Sequence, residues 1–217
     1  MTGRTKSRPR RKGHRARKGE GGLLRGQILD VTEELLHRHG SIDAVSIRAI
    51  AEAAGVTPPA IYLHFEDKDQ LFYAVCRRGF DRFAARLAPI LSSEGSAFDR
   101  IQRLGVEYVK FGLENSQQYI ILFGIKRDVT IPPEELEDDP GLRILSGLVT
   151  LVEEAQSSGD IRSDHPAATV AALLWAVSHG TTSLLINARA KPEVAPLPPK
   201  EEMIPAMIDL VIGGVGT

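Results

Sequence analysis

The chain has 217 residues, of which 42% are hydrophobic and 25% charged, and a formal net charge of −1. Those proportions suit a globular protein with one sizeable core, or a small domain joined to a larger one. The single cysteine, Cys76, excludes an internal disulfide and fits a reducing cytoplasm. No uninterrupted apolar run approaches the length that would span a bilayer, and no apolar segment follows the basic start as a secretory signal requires.

The near-zero net charge hides an asymmetry. Residues 1–18 hold nine Lys or Arg and no acid. Residues 1–86 carry 17 bases and 10 acids, a net +7, whereas residues 87–217 carry 10 and 18, a net −8. A basic first third ahead of an acidic remainder points the N-terminal part toward a polyanion.

Residues 1–22, rich in Arg, Lys and Gly, lack the apolar groups to fold alone and read as a disordered basic arm. From Leu23 the spacing turns helical: Leu24, Ile28, Val31, Leu35 and Leu36 form one apolar stripe, and Gly40 stops it. Ser46 stands as an N-cap before a short helix with Ile47, Ile50 and Ala51, which Gly55 ends. Thr57 caps a third helix whose first turn holds Pro58 and Pro59, where a missing N–H costs little. Ile61, Tyr62 and Phe65 follow, then the polar turn Glu66-Asp67-Lys68-Asp69. A longer helix with Leu71, Phe72, Val75, Phe80 and Phe83 is expected to end near Pro89.

A second part, residues 96–217, begins near Ser96. Phe98 to Phe111 mark one helix and Tyr119 to Phe123 a short one. Residues 126–140, with Pro132, Pro133, Pro140 and five acids from Glu134 to Asp139, read as an exposed loop. Leu142 to Val152 give a helix closed near Gly159. Residues 166–190 form a long, nearly uncharged helix, 191–199 a proline-rich linker, and Met203 to Ile212 a last amphipathic helix. No alternating strand pattern stands out, so the fold class is all-α: a three-helix unit over residues 23–83, then a larger helical domain over residues 96–217.

By pattern alone, residues 46–65 read either as a DNA-contacting element or as a plain structural corner. Two short helices around a glycine turn make a compact corner. Its apolar positions pack on the first helix, leaving Ser46, Arg48, Thr57, Pro58, Pro59, Ala60, Tyr62, Leu63 and His64 near the outer face, with Lys68 at the next helix start. Capped helix N-termini, hydroxyls and cations there suit phosphates, and an Arg can also read a guanine edge. Arg48-x-Ile50-Ala51, Ala54-Gly55-Val56, Tyr62-x-His64-Phe65 and Lys68, in one stretch from about Leu24 to Phe83, resemble the DNA-binding domain of tetracycline-repressor-like (TetR family) regulators. The resemblance implies a homodimer on double-stranded DNA with a palindromic operator, each recognition helix in a major groove, and a C-terminal domain for a small-molecule effector. This chain departs from the family pattern at Pro58, Pro59 and Leu63, which favour apolar contact, such as with thymine methyls. Trp175, His179 and Gly180 are similar to the Trp-His-Gly signature of one C-terminal subgroup.

Candidate ligand-contacting residues in the second part are Tyr108, Phe111, Phe123, Trp175 and His179. No nucleophile elbow, phosphate-cradling glycine loop or metal-ligand spacing is present, so neither an enzymatic activity, a metal nor a cofactor is expected. The rival readings are an enzyme using the apolar helical domain and a coating protein that binds DNA through the arm alone.

Overall fold

The computed structural model describes residues 20–124, 138–190 and 197–216. All regular structure among them is helical, apart from one isolated antiparallel bridge between Ile161 and Gly216. In chain order the helices are α1 (Glu20–His39), α2 (Ile47–Ala53), α3 (Pro58–Ile61), α4 (Lys68–Leu91), α5 (Ala97–Glu114), α6 (Ser116–Gly124), α7 (Pro140–Ser158), α8 (Ala167–Ala190) and α9 (Lys200–Val215). The all-α expectation holds. Most of the expected arm, the acidic loop and the linker lie outside the described residues.

Three boundaries differ from the sequence reading. The first helix already includes Glu20–Gly22, which the arm was expected to contain. α4 runs through Pro89 to Leu91. A proline in the last turn forfeits only one ladder bond, and Ser92 N–H still closes the helix on Ala88 O at 3.4 Å. α9 starts at Lys200 and keeps Pro205 in its second turn. α8 also corrects the membrane argument: Ala167–Ala188 is long and apolar enough to cross a bilayer by length and composition. Small and hydroxylated residues dilute its apolar run, which hid it from a search for unbroken apolar sequence. In the fold it packs against α5, α7 and α9, burying Val170, Ala171, Leu174, Leu185 and Ile186.

The helix ends follow elementary capping chemistry. Side chains of Ser46, Asp67, Ser96 and Asp139 each accept from a backbone N–H in the first turn of α2, α4, α5 and α7. Caps of this kind each contribute about 1 kcal/mol. Gly55, at φ +68°, makes the turn between α2 and α3 in a region where a side chain is strained.

One hydrophobic core runs through the whole described chain. Around α1–α3 it consists of Ile28, Leu36, Val45, Ile50, Ile61 and Phe65, with Leu71 and Phe72 from α4. Burying each large side chain contributes roughly 1.5–3 kcal/mol, which fixes a corner too short to be stable by itself. α4 continues without a break past residue 83 and links the two halves. Its Arg78 and Arg82 pair with Asp30 and Glu33 of α1, its Arg86 with Glu107 and Glu114 of α5, and its Asp81 with Arg143 of α7.

Candidate nucleic-acid interface and ligand cavity

The α2–α3 corner presents the expected residues, but they divide into three groups. Ser46, Arg48, Thr57, Pro59, Tyr62 and Leu63 are exposed, and Leu63, at 83%, is the most open large apolar side chain among the described residues. Pro58, Ala60 and His64 are half-buried at its edge. Lys68 is held inward: its Nζ donates to Ile42 O at 3.1 Å and lies 5.3 Å from the centre of the Phe72 ring. Its ammonium therefore ties the loop before α2 to the start of α4.

The sequence reading gave α3 a cap and an anion-binding N-terminus. The geometry changes both. Thr57 occupies the N-cap position, but its hydroxyl makes no capping bond. The next two residues are prolines without N–H groups, and Ala60 N–H bonds back to Thr57 O at 2.9 Å. The start of α3 thus lacks the free amides that usually cradle an anion, whereas the Thr57 hydroxyl stays available. The Ser46 hydroxyl is engaged, accepting from Ala49 N–H at 3.2 Å. It retains its own O–H to donate.

In the second half, α4, α5, α6, α7, α8 and α9 surround a cavity of about 470 Å³. Its wall is mostly apolar: Phe80, Phe83, Leu104, Phe123, Leu145 and Leu148 are representative, and Asp139, Gln102 and Ser178 add polar atoms. Of the five sequence candidates, Tyr108, Phe123 and Trp175 line it. Phe111 does not; it packs against Phe83 with ring centres 4.7 Å apart. His179 does not line it either, but sits one layer behind.

That layer is a hydrogen-bonded cluster. Tyr119 OH lies 2.6 Å from His179 Nδ1, and Tyr108 OH lies 3.1 Å from Tyr119 OH and 3.2 Å from the same Nδ1. Trp175 stacks on His179 at 5.6 Å. Burial pushes both tyrosine hydroxyls up from their ordinary range and pushes His179 down, so all three stay neutral near neutral pH. Neutral His179 carries one ring proton, and its tautomer sets whether Nδ1 accepts from or donates to Tyr119 OH. Sequence reasoning missed Tyr119, whose only signal is its position on the apolar face of a short helix. It also missed the α7 and α9 walls and Asp139, which was counted with an exposed acidic loop.

Comparison with known proteins now bears on these sites. Residues 28–75 match the model of the tetR family of bacterial regulatory proteins, and residues 101–211, half of the chain, match the tetracyclin repressor-like C-terminal domain. The HTH-type transcriptional repressor AcnR of Corynebacterium glutamicum is 26% identical over 170 residues, 74% of this chain and 81% of that protein. The chain spans half or less of the length of the first curated relatives it matches. A solved protein of unknown function from Rhodococcus sp. RHA1 superposes with a TM-score of 0.71 at 28% identity, covering 89% of this chain and 95% of that one. The transcriptional regulator FadR from Bacillus subtilis, solved with stearoyl-CoA, has the same fold: TM-score 0.70 at 15% identity, covering 88% and 98%. The matches at both ends of the chain place this protein in the tetR family of bacterial regulatory proteins.

Proposed function

We propose that this protein is a cytoplasmic, sequence-specific DNA-binding transcriptional regulator, a repressor that a small molecule releases from its operator. The observation that carries the reading is the exposed α2–α3 corner, whose outer face sets Arg48, Thr57, Tyr62 and Leu63 toward solvent over a fully buried base. Thr57, Tyr62, His64 and the Ser46 hydroxyl anchor phosphates. Arg48 reads a base edge, and Pro58, Pro59, Ala60 and Leu63 make apolar groove contacts. Lys68 supports the corner from behind. The basic arm adds sequence-independent affinity.

The working unit is a homodimer on a palindromic operator. Leu173, Leu184 and Leu210 on α8 and α9 are exposed by 60%, 52% and 78%, an apolar surface that a second copy would cover. The cavity holds the effector; its size lies within the range of small-molecule sites. Filling it shifts α4, which links the cavity to α1 through the Arg78 and Arg82 ion pairs, and so alters the spacing of the two recognition helices.

Footprinting on sequences selected from random DNA tests the reading. A short protected palindrome with half-sites about one helical turn apart is expected. Uniform protection of any duplex would overturn it in favour of a coating protein.

A further inference from the structure

The cavity holds one group that the effector reading leaves without a task. Asp139 is 5% exposed and lines the cavity wall at the start of α7. One oxygen, Oδ1, accepts from Leu142 N–H at 2.9 Å and caps α7. The other, Oδ2, has no hydrogen bond or ion pair among the described residues. Two guanidiniums reach this helix start and both are engaged elsewhere: Arg143 pairs with Asp138 and Asp81, and Arg77 Nη2 donates to Asp138 O at 3.5 Å. A carboxylate buried in an apolar wall is costly unless a partner compensates it, and a helix N-terminus compensates only in part.

The walls around this acid are aromatic. Phe80 stands beside Gly141, its ring carbons 3.6 Å from where a Cβ on that glycine would lie. Phe123 meets Phe80 edge to face at 5.5 Å, and Phe83, Tyr108 and Trp175 extend the lining. Aromatic faces attract cations, most strongly where water is excluded. We propose, resting on the reading of this cavity as the effector site, that its ligand is a lipophilic amine: a protonated nitrogen bound by Asp139 Oδ2 and the aromatic faces, on an apolar body. The volume admits roughly 15 non-hydrogen atoms at about 30 Å³ each. A buried anionic head is repelled by the same carboxylate. A neutral ligand of the same shape leaves Oδ2 unpaired and binds more weakly.

Three probes of one shape separate the cases: dodecylamine, dodecanol and dodecanoate, titrated into the full chain below their micelle concentrations. Trp175, the single tryptophan, reports binding by fluorescence, and calorimetry measures the affinity. The amine is expected to bind at least about ten-fold tighter than the alcohol, with the carboxylate weakest, as one desolvated charge-assisted contact implies. Asp139→Asn keeps a carbonyl to cap α7 and is expected to erase the preference of amine over alcohol. Dodecanoate binding as tightly as dodecylamine, an unchanged preference in the variant, or no binding of the amine would each overturn the proposal. If the amine binds with this preference but leaves operator affinity unchanged, the ligand class stands and the effector mechanism fails.

Discussion

Replacing Lys68 by Met tests which side of the protein–DNA boundary this residue serves. The substitution keeps an unbranched apolar stem near Phe72 and removes the ammonium. The structure assigns that ammonium two intramolecular contacts, with Ile42 O at 3.1 Å and with the Phe72 face at 5.3 Å. A hydrogen bond from a charged donor contributes about 1.5–3 kcal/mol and a partly exposed cation–π contact about 0.5–1. Because Lys68 is only half-buried, the lower ends apply, and the variant should lose about 2 kcal/mol. Urea unfolding followed by circular dichroism should show a lower midpoint at an unchanged slope. Operator binding over a salt series supplies the second arm. A residue that neutralises a phosphate contributes about 0.9 to the slope of log K against log salt, and Lys68→Met should leave the slope unchanged. Wild-type stability together with a slope reduced by about 0.9 would refute the argument and make Lys68 a phosphate contact.

Four further outcomes follow from the same geometry. Ser46→Ala removes the cap on α2 and should cost about 1 kcal/mol in denaturant unfolding, with weaker operator binding. Gly112→Ala puts a Cβ of α5 into Thr182 of α8 and Tyr119 of α6, and should lower stability by about 1–3 kcal/mol, read as a fall in thermal midpoint. Folding lowers the affinity of His179 for protons relative to its ordinary value of 6.5. The unfolded chain therefore binds that proton first, and stability falls as pH drops below 6.5. His179→Gln should show a shallower loss between neutral and mildly acidic pH in a series of thermal melts. Leu210→Glu should turn a dimer into a monomer in sedimentation at micromolar concentration; an unchanged mass would place the subunit contact elsewhere.

The corner at residues 46–65 was legible because its signals are local. A cap, a glycine at positive φ and a proline pair each act within a few residues, and apolar spacing selects the buried face. The same locality misled at Thr57: the amide its hydroxyl would cap, Ala60 N–H, bonds instead to Thr57 O at 2.9 Å, and Pro58 and Pro59 offer no other. Lys68 was misread for a different reason, since its acceptor is 26 residues away on Ile42 and no local pattern reveals that carbonyl. The cavity was least legible of all. It is assembled from helices far apart in sequence, so Tyr108, Phe123 and Trp175 could be marked as aromatic but not separated from Phe111, which only packs. Asp139 followed four other acids and read as solvated; its burial depends on α7 docking over α4 and α5.

The proline pair at the start of α3 bears on how readily this protein recognises its target. A helix of four residues has little intrinsic tendency to form, yet two consecutive ring-locked φ angles remove much of the freedom that the unfolded segment would otherwise lose. In the proposed role α3 is therefore set before any duplex arrives, and little ordering has to be deducted from the contacts it would make. That rigidity also constrains divergence. If the proposed contacts hold, the loss of backbone donors at its first two positions leaves exposed side chains such as Arg48, Tyr62 and Leu63 as the route to new target sequences, rather than a re-seating of the helix itself.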